Sequence, residues 1–296
     1  MAEGDALRLD RAALRAAFER ASAGYDQSAR MQERVAAELL GRLGSFDFRP
    51  RVVLDLGAGT GRVTRELKRR YRRALVIALD LAPGMLREAR RHQRLWRRFE
   101  RVCADALRLP LADGSVDLVF SSLMLQWCEP LEQACAEVRR VLAPSGFFAF
   151  STLGPDTLKE LRAAWAEADG ASHVNRFTDV HEVGDALARS GLAEPVLDVD
   201  RIELGYPDAL ALMRDLKGVG AHNVTAGRPR ALTGRARLAR MQRAYEALRR
   251  GNRLPATYEV IYGASWGAAG RPAVGLRDGE ARIAPGSIGR HPAAPP

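Results

Sequence analysis

The stretch VVLDLGAGTGRV, Val52 to Val63, sets an apolar run against three glycines, Gly57, Gly59 and Gly61. A strand that ends in glycines and leads straight into a helix, here VTRELKRRY, presents backbone N–H groups to a bound nucleotide. The dinucleotide fingerprint G-x-G-x-x-G would need a glycine where Arg62 stands, and the spacing is G-x-G-x-G instead. Asp55, two residues before the loop, would repel a pyrophosphate and attract an ammonium or sulfonium group. S-adenosylmethionine carries both cations and no phosphate.

Reading outward, the next strand, LVIALD, ends in Asp80, 19 residues beyond Gly61, where a carboxylate can accept hydrogen bonds from both ribose hydroxyls. VCADALRLP puts Asp105 just after a third strand, suited to an adenine amino group. Gln126 and Trp127 follow the fourth strand, beside the expected methyl group. Asp55, Gly57, Gly59, Gly61, Asp80 and Asp105, each at a strand's end, are more specific together than the loop alone.

The pattern around this core alternates. FERVCAD, VDLVFSS and GFFAFST read as further strands, with PGMLREARRHQRLWRR and LEQACAEVRRVL as helices, which argues for an α/β fold with a mostly parallel sheet covered on both faces. On PGMLREARRHQRLWRR, Leu86, Ala89 and Trp96 recur at core spacing, while Arg87, Arg91, Arg94 and Arg98 recur on another face. Beyond Thr152 come helices, the strand PVLDVDRIELGY, two more helices and the strand ATYEVIYGASW, for seven strands in all. The helical elements over about 154–250, with one strand among them, read as a lid inserted between the last strands, and 10–45 as an amino-terminal helical cover. The domain is expected over 1–267, with 268–296, rich in Gly, Pro and Ala, as a disordered tail.

Composition sets bounds. The 296 residues are 47% hydrophobic and 28% charged, enough for one large soluble domain or two small ones with a substantial core. No run approaches the roughly 20 apolar residues of a membrane span, and the amino terminus lacks the apolar core of a secretory signal, so a cytoplasmic address is expected. Cys103, Cys128 and Cys135 form no CxxC pair and read as packing residues in a reducing compartment. The net charge of +10 is concentrated between Arg62 and Arg101, where 14 Lys/Arg face four acids. Such a patch suits an acidic partner or is simply solvated.

DLGAGTG, LDLAPGML and VDLVFSSLMLQW resemble the class I methyltransferases, which implies their Rossmann-like fold. Ala82 departs from the Ser or Thr that often caps the helix begun by Pro83, so that helix is expected to lack a cap. LQWC, FSTLGPDTLKELRAAW, HVNRF, DLKGVGAHN and LPATYEVIYG, with AAFERASAGYDQSARMQ near the start, resemble the BioC family of malonyl-acyl carrier protein O-methyltransferases over about residues 10–267. The resemblance implies methyl transfer from S-adenosylmethionine to the free carboxylate of a malonyl thioester on acyl carrier protein, the ester that starts pimeloyl assembly in biotin biosynthesis.

A carboxylate is already ionised at neutral pH, so the reaction needs a cation and a dry site rather than a general base. Arg176 in HVNRF is the first choice for that cation, with Lys217 and Arg162 as weaker candidates. Tyr25 is the family-like aromatic near the amino terminus, a cover for the cofactor and a donor to the carboxylate. His173, His181 and His222 have no recognised metal spacing, so no metal is expected and they read as surface or hydrogen-bonding residues. The carrier is expected to dock on Arg87, Arg91, Arg94 and Arg98, with neither nucleic acid nor membrane as partner; SSLMLQW stands where a nucleic-acid methyltransferase would carry an NPPY-like or DPPY-like motif. Two other readings use the same fold: an arginine-hydroxylating assembly factor, which the lid resembles more loosely, and a binding module without turnover.

Overall fold

The computed structural model describes residues 9–46, 48–93, 96–221, 223–225, 233–267, 275–277 and 280–282. Alternation along the strands decides its layering. Val53, Val76, Ala78, Leu118, Phe120 and Phe147 are buried in one apolar cluster, and their chain neighbours Leu54, Ile77, Leu79, Val119 and Phe148 in another. A period of two with both sets apolar gives a sheet covered on both faces.

That sheet has seven strands: β1 (Val52–Leu56), β2 (Leu75–Asp80), β3 (Glu100–Cys103), β4 (Val116–Ser122), β5 (Leu142–Leu153), β6 (Ala193–Tyr206) and β7 (Leu254–Trp266). They lie in the order β3-β2-β1-β4-β5-β7-β6. Only β7 runs antiparallel to its neighbours. The strand order reverses between β1 and β4, and at such a switch point a crevice opens outside the carboxyl ends of the strands.

Three helices precede the sheet: α1 (Arg11–Ala21), α2 (Tyr25–Ser28) and α3 (Arg30–Arg42). α4 (Arg62–Arg70) and α5 (Pro83–His92) pack with α3 on one face through Val35, Leu39, Leu67 and Ala89. α7 (Lys159–Ala166), α9 (Ala209–Gly218) and α10 (Arg235–Glu246) add Leu161, Leu212 and Tyr245 to the same cluster. The other face is closed by α6 (Leu131–Val141) and α8 (Val180–Arg189) through Val138, Val183 and Leu187.

Side chains of α1 and α2 tie these helices to the crevice. Glu19 accepts the Gly84 N–H at 2.5 Å and pairs with Arg87. Asp26 accepts the Thr60 hydroxyl at 2.7 Å and pairs with Arg62 at 3.1 Å. Ala82 indeed offers α5 no side-chain cap, but the helix is not uncapped: the Glu19 carboxylate takes an orphan N–H of its first turn from another element.

Three sequence expectations need correction here. α5 ends at His92, where Gln93 turns extended (ψ 128°) and its side-chain amide donates to the Phe99 carbonyl at 2.7 Å, leading the chain into β3. The single helical face bearing Arg87, Arg91, Arg94 and Arg98 is therefore not formed. Arg98 lies beyond the helix, Arg94 is outside the described residues, and Arg87 and Arg91 are each paired with a carboxylate, Glu19 and Glu88. For the same reason Trp96, expected in the core, is 96% exposed. Cys103 is exposed, whereas Cys128 and Cys135 are buried and their thiols are pushed up to about 12, chiefly by burial. Within the tail, Gly275–Arg277 and Glu280–Arg282 pair as short antiparallel strands, and the rest of 268–296 lies outside the described residues.

Candidate active site

Two cavities meet at the carboxyl edge of the sheet. A cleft of about 90 Å³ lies over β2, β1 and β4. Beside it is a cavity of about 220 Å³ whose floor includes Leu123, Leu153 and Tyr258. Phe18, Tyr25, Leu123 and Trp127 line both, so a ligand in one touches the wall of the other. Phe18 meets Trp127 edge-on with ring centroids 5.5 Å apart, which holds the shared wall.

The cleft sets glycine backbone and two carboxylates into an apolar lining that includes Leu14, Leu79 and Met85. Gly57 and Gly59 line it, both with positive φ. A Cβ on Gly59 would meet nothing within 4 Å, so this glycine leaves open space toward the cleft. Gly61 serves differently: a Cβ there would lie 2.7 Å from the Ala89 Cβ, so its role is to let α4 and α5 approach. Asp80 accepts the Gly59 N–H at 2.9 Å on one oxygen and the Ala82 N–H at 2.8 Å on the other. The Leu81 N–H adds a third backbone donor, and the two oxygens still have acceptor capacity beyond these bonds. Burial raises the Asp80 carboxyl above its ordinary range, and those backbone donors work against the rise.

Asp55, expected to face the cation, is buried behind the loop and is not among the residues lining the cleft. Its carboxylate accepts the Thr64 hydroxyl at 2.5 Å, and burial, opposed by that bond and reinforced by Asp80, pushes it up to about 7. Asp105 does line the cleft, with one oxygen on the Leu107 N–H at 2.8 Å and the other paired with Arg11 of α1. Gln126 lines the neighbouring cavity instead, its amide donating to the Leu123 carbonyl at 2.7 Å.

The larger cavity is mostly apolar, and among the described residues that line it there is no carboxylate. Its basic groups are Lys217 and His173. His173 stacks on Trp165 at 3.7 Å and binds Asp169 at 2.8 Å through Nε2, so its ring is fixed in the wall as a hydrogen-bonding residue. Tyr25 stands at the boundary; burial, then the charges of Asp80 and Asp26, raise its hydroxyl far above the ordinary value and keep it a donor. Arg176 is exposed and is not among the lining residues. Arg162 donates to the Pro155 and Thr157 carbonyls at 3.0 and 2.9 Å, outside the cavity. His181 is exposed and His222 lies outside the described residues.

Sequence reasoning did not find Arg11 or Glu19. Both belong to α1, whose pattern reads only as an amphipathic helix, and their partners lie 94 and 65 residues away. Among the described residues no three His, Cys, Asp or Glu side chains gather as a metal site, and no helix is long and apolar enough to cross a membrane.

A family described as a methyltransferase domain matches residues 54–150. Malonyl-[acyl-carrier protein] O-methyltransferase from Laribacter hongkongensis (strain HLHK9) is 51% identical over 283 residues, covering 93% of this chain and 95% of that protein. The protein of the same name from Methylovorus sp. (strain MP688) is 49% identical, covering 93% and 94%. Among solved structures, the YcgJ protein from Bacillus subtilis matches with a TM-score of 0.56 at 17% identity, covering 79% of this chain and all of that one, a likeness of fold.

Proposed function

The chain belongs to the malonyl-[acyl-carrier protein] O-methyltransferase family, and we propose that it methylates the free carboxylate of a malonyl thioester carried by acyl carrier protein, with S-adenosylmethionine as methyl donor. The observation that carries this reading is the pair of adjoining cavities with opposite electrostatics. The cleft holds the Asp80 carboxylate beside the Asp105–Arg11 pair, and the neighbouring cavity presents Lys217 with no carboxylate among its described lining.

The cleft fits the donor. Asp80 keeps acceptor capacity beside its backbone donors for ribose hydroxyls, and the open space at Gly59 admits close approach of a ligand to backbone. Buried Asp55 holds the first turn of α4 through the Thr64 hydroxyl and adds negative charge to the cation's surroundings when ionised. The pairing of Asp105 with Arg11 leaves any adenine contact at this carboxylate to share it with a guanidinium. When bound, S-adenosylmethionine supplies a methyl carbon that a carboxylate oxygen takes in line, the methyl–sulfur bond breaking with its electron pair left on sulfur as a neutral thioether.

The protein's part is placement. Lys217 is the cation best situated to hold the malonyl carboxylate, in preference to exposed Arg176 and to Arg162, which is engaged by carbonyls. Tyr25, protonated and shared by both cavities, donates to the carboxylate beside the methyl group. Gln126 steadies the turn after β4 through the Leu123 carbonyl. The apolar lining excludes water, and in that low dielectric the neutralisation of an anion by a sulfonium is favoured. Helices 10–45 act as a cover through Phe18 and Tyr25, and the 154–250 segment acts as a lid through Trp165 and Lys217.

Incubation with methyl-labelled S-adenosylmethionine and malonyl carrier protein, followed by intact mass, tests the proposal. One added methyl on the malonyl group, removed by mild ester hydrolysis, is expected. Methylation of the carrier's own side chains, or none, would overturn it.

A further inference from the structure

Past the acceptor cavity lies a third, of about 240 Å³, bounded by Leu204 and Tyr206 at the end of β6, by Arg253 just before β7 and by Arg30 at the start of α3. It shares Met31, Gln32, Leu216, Val219 and Tyr258 with the acceptor cavity and none of its lining with the cofactor cleft. The three spaces thus follow one another along the sheet edge in strand order: the cleft over β2, β1 and β4, the acceptor cavity over β4, β5 and β7, and the third over β7 and β6. We propose that the third cavity receives the arm of the carrier protein and that Arg30 and Arg253 hold the phosphate at its root.

This inference rests on the malonyl-carrier reading and extends it to a site for the arm. In a malonyl group on acyl carrier protein the reacting carboxylate is followed by a methylene, the thioester, the amides of pantetheine and then a phosphate. With the carboxylate beside the cleft, the rest of the arm must leave by the opposite side of the acceptor cavity. That side is the wall shared with the third space. Gln32 and the hydrogen-bonded hydroxyls of Tyr206 and Tyr258 give the passage polar groups suited to amides.

The arginines suit a phosphate. Arg11 at the cofactor cleft and Arg42 at another cavity are each paired with a carboxylate, Asp105 and Asp198. Arg30 and Arg253 form no ion pair among the described residues, so their guanidinium groups are available to an anion. Gly205 shapes this end: a Cβ there would lie 3.0 Å from the Arg253 Cβ, so its absence lets the arginine stem lie across β6. The one carboxylate in the lining, Asp215, is hydrogen-bonded by the Tyr206 hydroxyl. Two guanidinium groups outweigh it.

Three acceptors separate the contributions: malonyl carrier protein, malonyl-phosphopantetheine and malonyl-pantetheine, the last lacking the phosphate. The wild-type protein is expected to favour malonyl-phosphopantetheine over malonyl-pantetheine by about tenfold in kcat/KM, the scale of two exposed charged contacts acting together. The double variant Arg30→Ala, Arg253→Ala should treat the two alike to within about twofold. Absence of the preference in the wild-type protein, its persistence in the variant, or an equal loss on both acceptors would overturn the assignment. A wild-type protein that methylates malonyl carrier protein but shows no phosphate preference refutes only the arm site; one inert toward all three removes the reading beneath it.

Discussion

The cofactor cleft and the acceptor cavity share a wall at Tyr25 and Trp127 and a largely apolar lining, but they carry different polar groups. The polar groups of the cleft are glycine backbone and acid from strand ends between Gly57 and Asp105, with its central carboxylate held by the N–H groups of Gly59 and Ala82. The acceptor cavity is side chain and apolar surface, assembled from α1 and α2, the turns after β4 and β5, and the helices beyond. The difference assigns the two jobs. Binding a nucleoside is a property of strand ends and backbone at a topological switch point, whereas the choice of acceptor belongs to distant side chains that have only tertiary structure in common. Opposite charge on the two sides then brings a cation and an anion to one boundary.

The largest expected effect breaks the cleft alone. Asp80→Ala removes an acceptor for two ribose hydroxyls, each bond to a charged group contributing about 1.5–3 kcal/mol, so affinity for S-adenosylmethionine should fall at least about a hundredfold by calorimetry. Unchanged affinity would put the ribose elsewhere. Breaking the other side comes next. Lys217→Met should raise KM for malonyl carrier protein by about thirtyfold, near 2 kcal/mol, while the cofactor Kd moves less than about twofold. Partial recovery in Lys217→Arg would tie the loss to charge, and a comparable loss in Arg176→Ala with a normal Lys217→Met would return the role to Arg176.

The smallest effect concerns the tie between α1 and the cleft. Glu19→Gln should cost about 1 kcal/mol in chemical denaturation, the scale of a helix cap. The Gly84 N–H chiefly, helped by Arg87, holds the Glu19 carboxyl below its usual range against the opposing effect of burial. A carboxyl lowered by folding stabilises above its unfolded pKa and loses that contribution as pH falls. The gap between wild type and variant should therefore be full at neutral pH and close on acidification below about pH 4. A gap independent of pH would mean that Glu19 acts by packing.

Much of the fold was legible because apolar strands and amphipathic helices alternate locally: all seven strands of the sheet fall on stretches the pattern marks, and Gly57, Gly59, Asp80 and Asp105 line one cleft. What failed was non-local. RRHQRLWRR contains no glycine or proline to stop a helix, so nothing in it announces that Gln93 turns to reach Phe99 and leaves Trp96 in solvent. Gly61 looks like Gly59 in sequence and differs only because Ala89 of α5 lies against it. Arg176 and Lys217 are equally basic, and only tertiary placement puts Lys217 in the cavity wall. The cap for α5 came from Glu19, 65 residues from the N–H it accepts, where no local signature could reveal it.

The central claim is that the acceptor side is built for an anion that the reaction abolishes. Its most direct test is to load the protein with S-adenosylhomocysteine and measure binding of malonyl carrier protein against the same carrier bearing the malonyl methyl ester. The arm and carrier are identical, and the two differ by one charge and one methyl group. A cavity with Lys217 and no described carboxylate in its lining should hold the free acid at least about tenfold more tightly than the ester. Equal affinities, or tighter binding of the ester, would contradict the account.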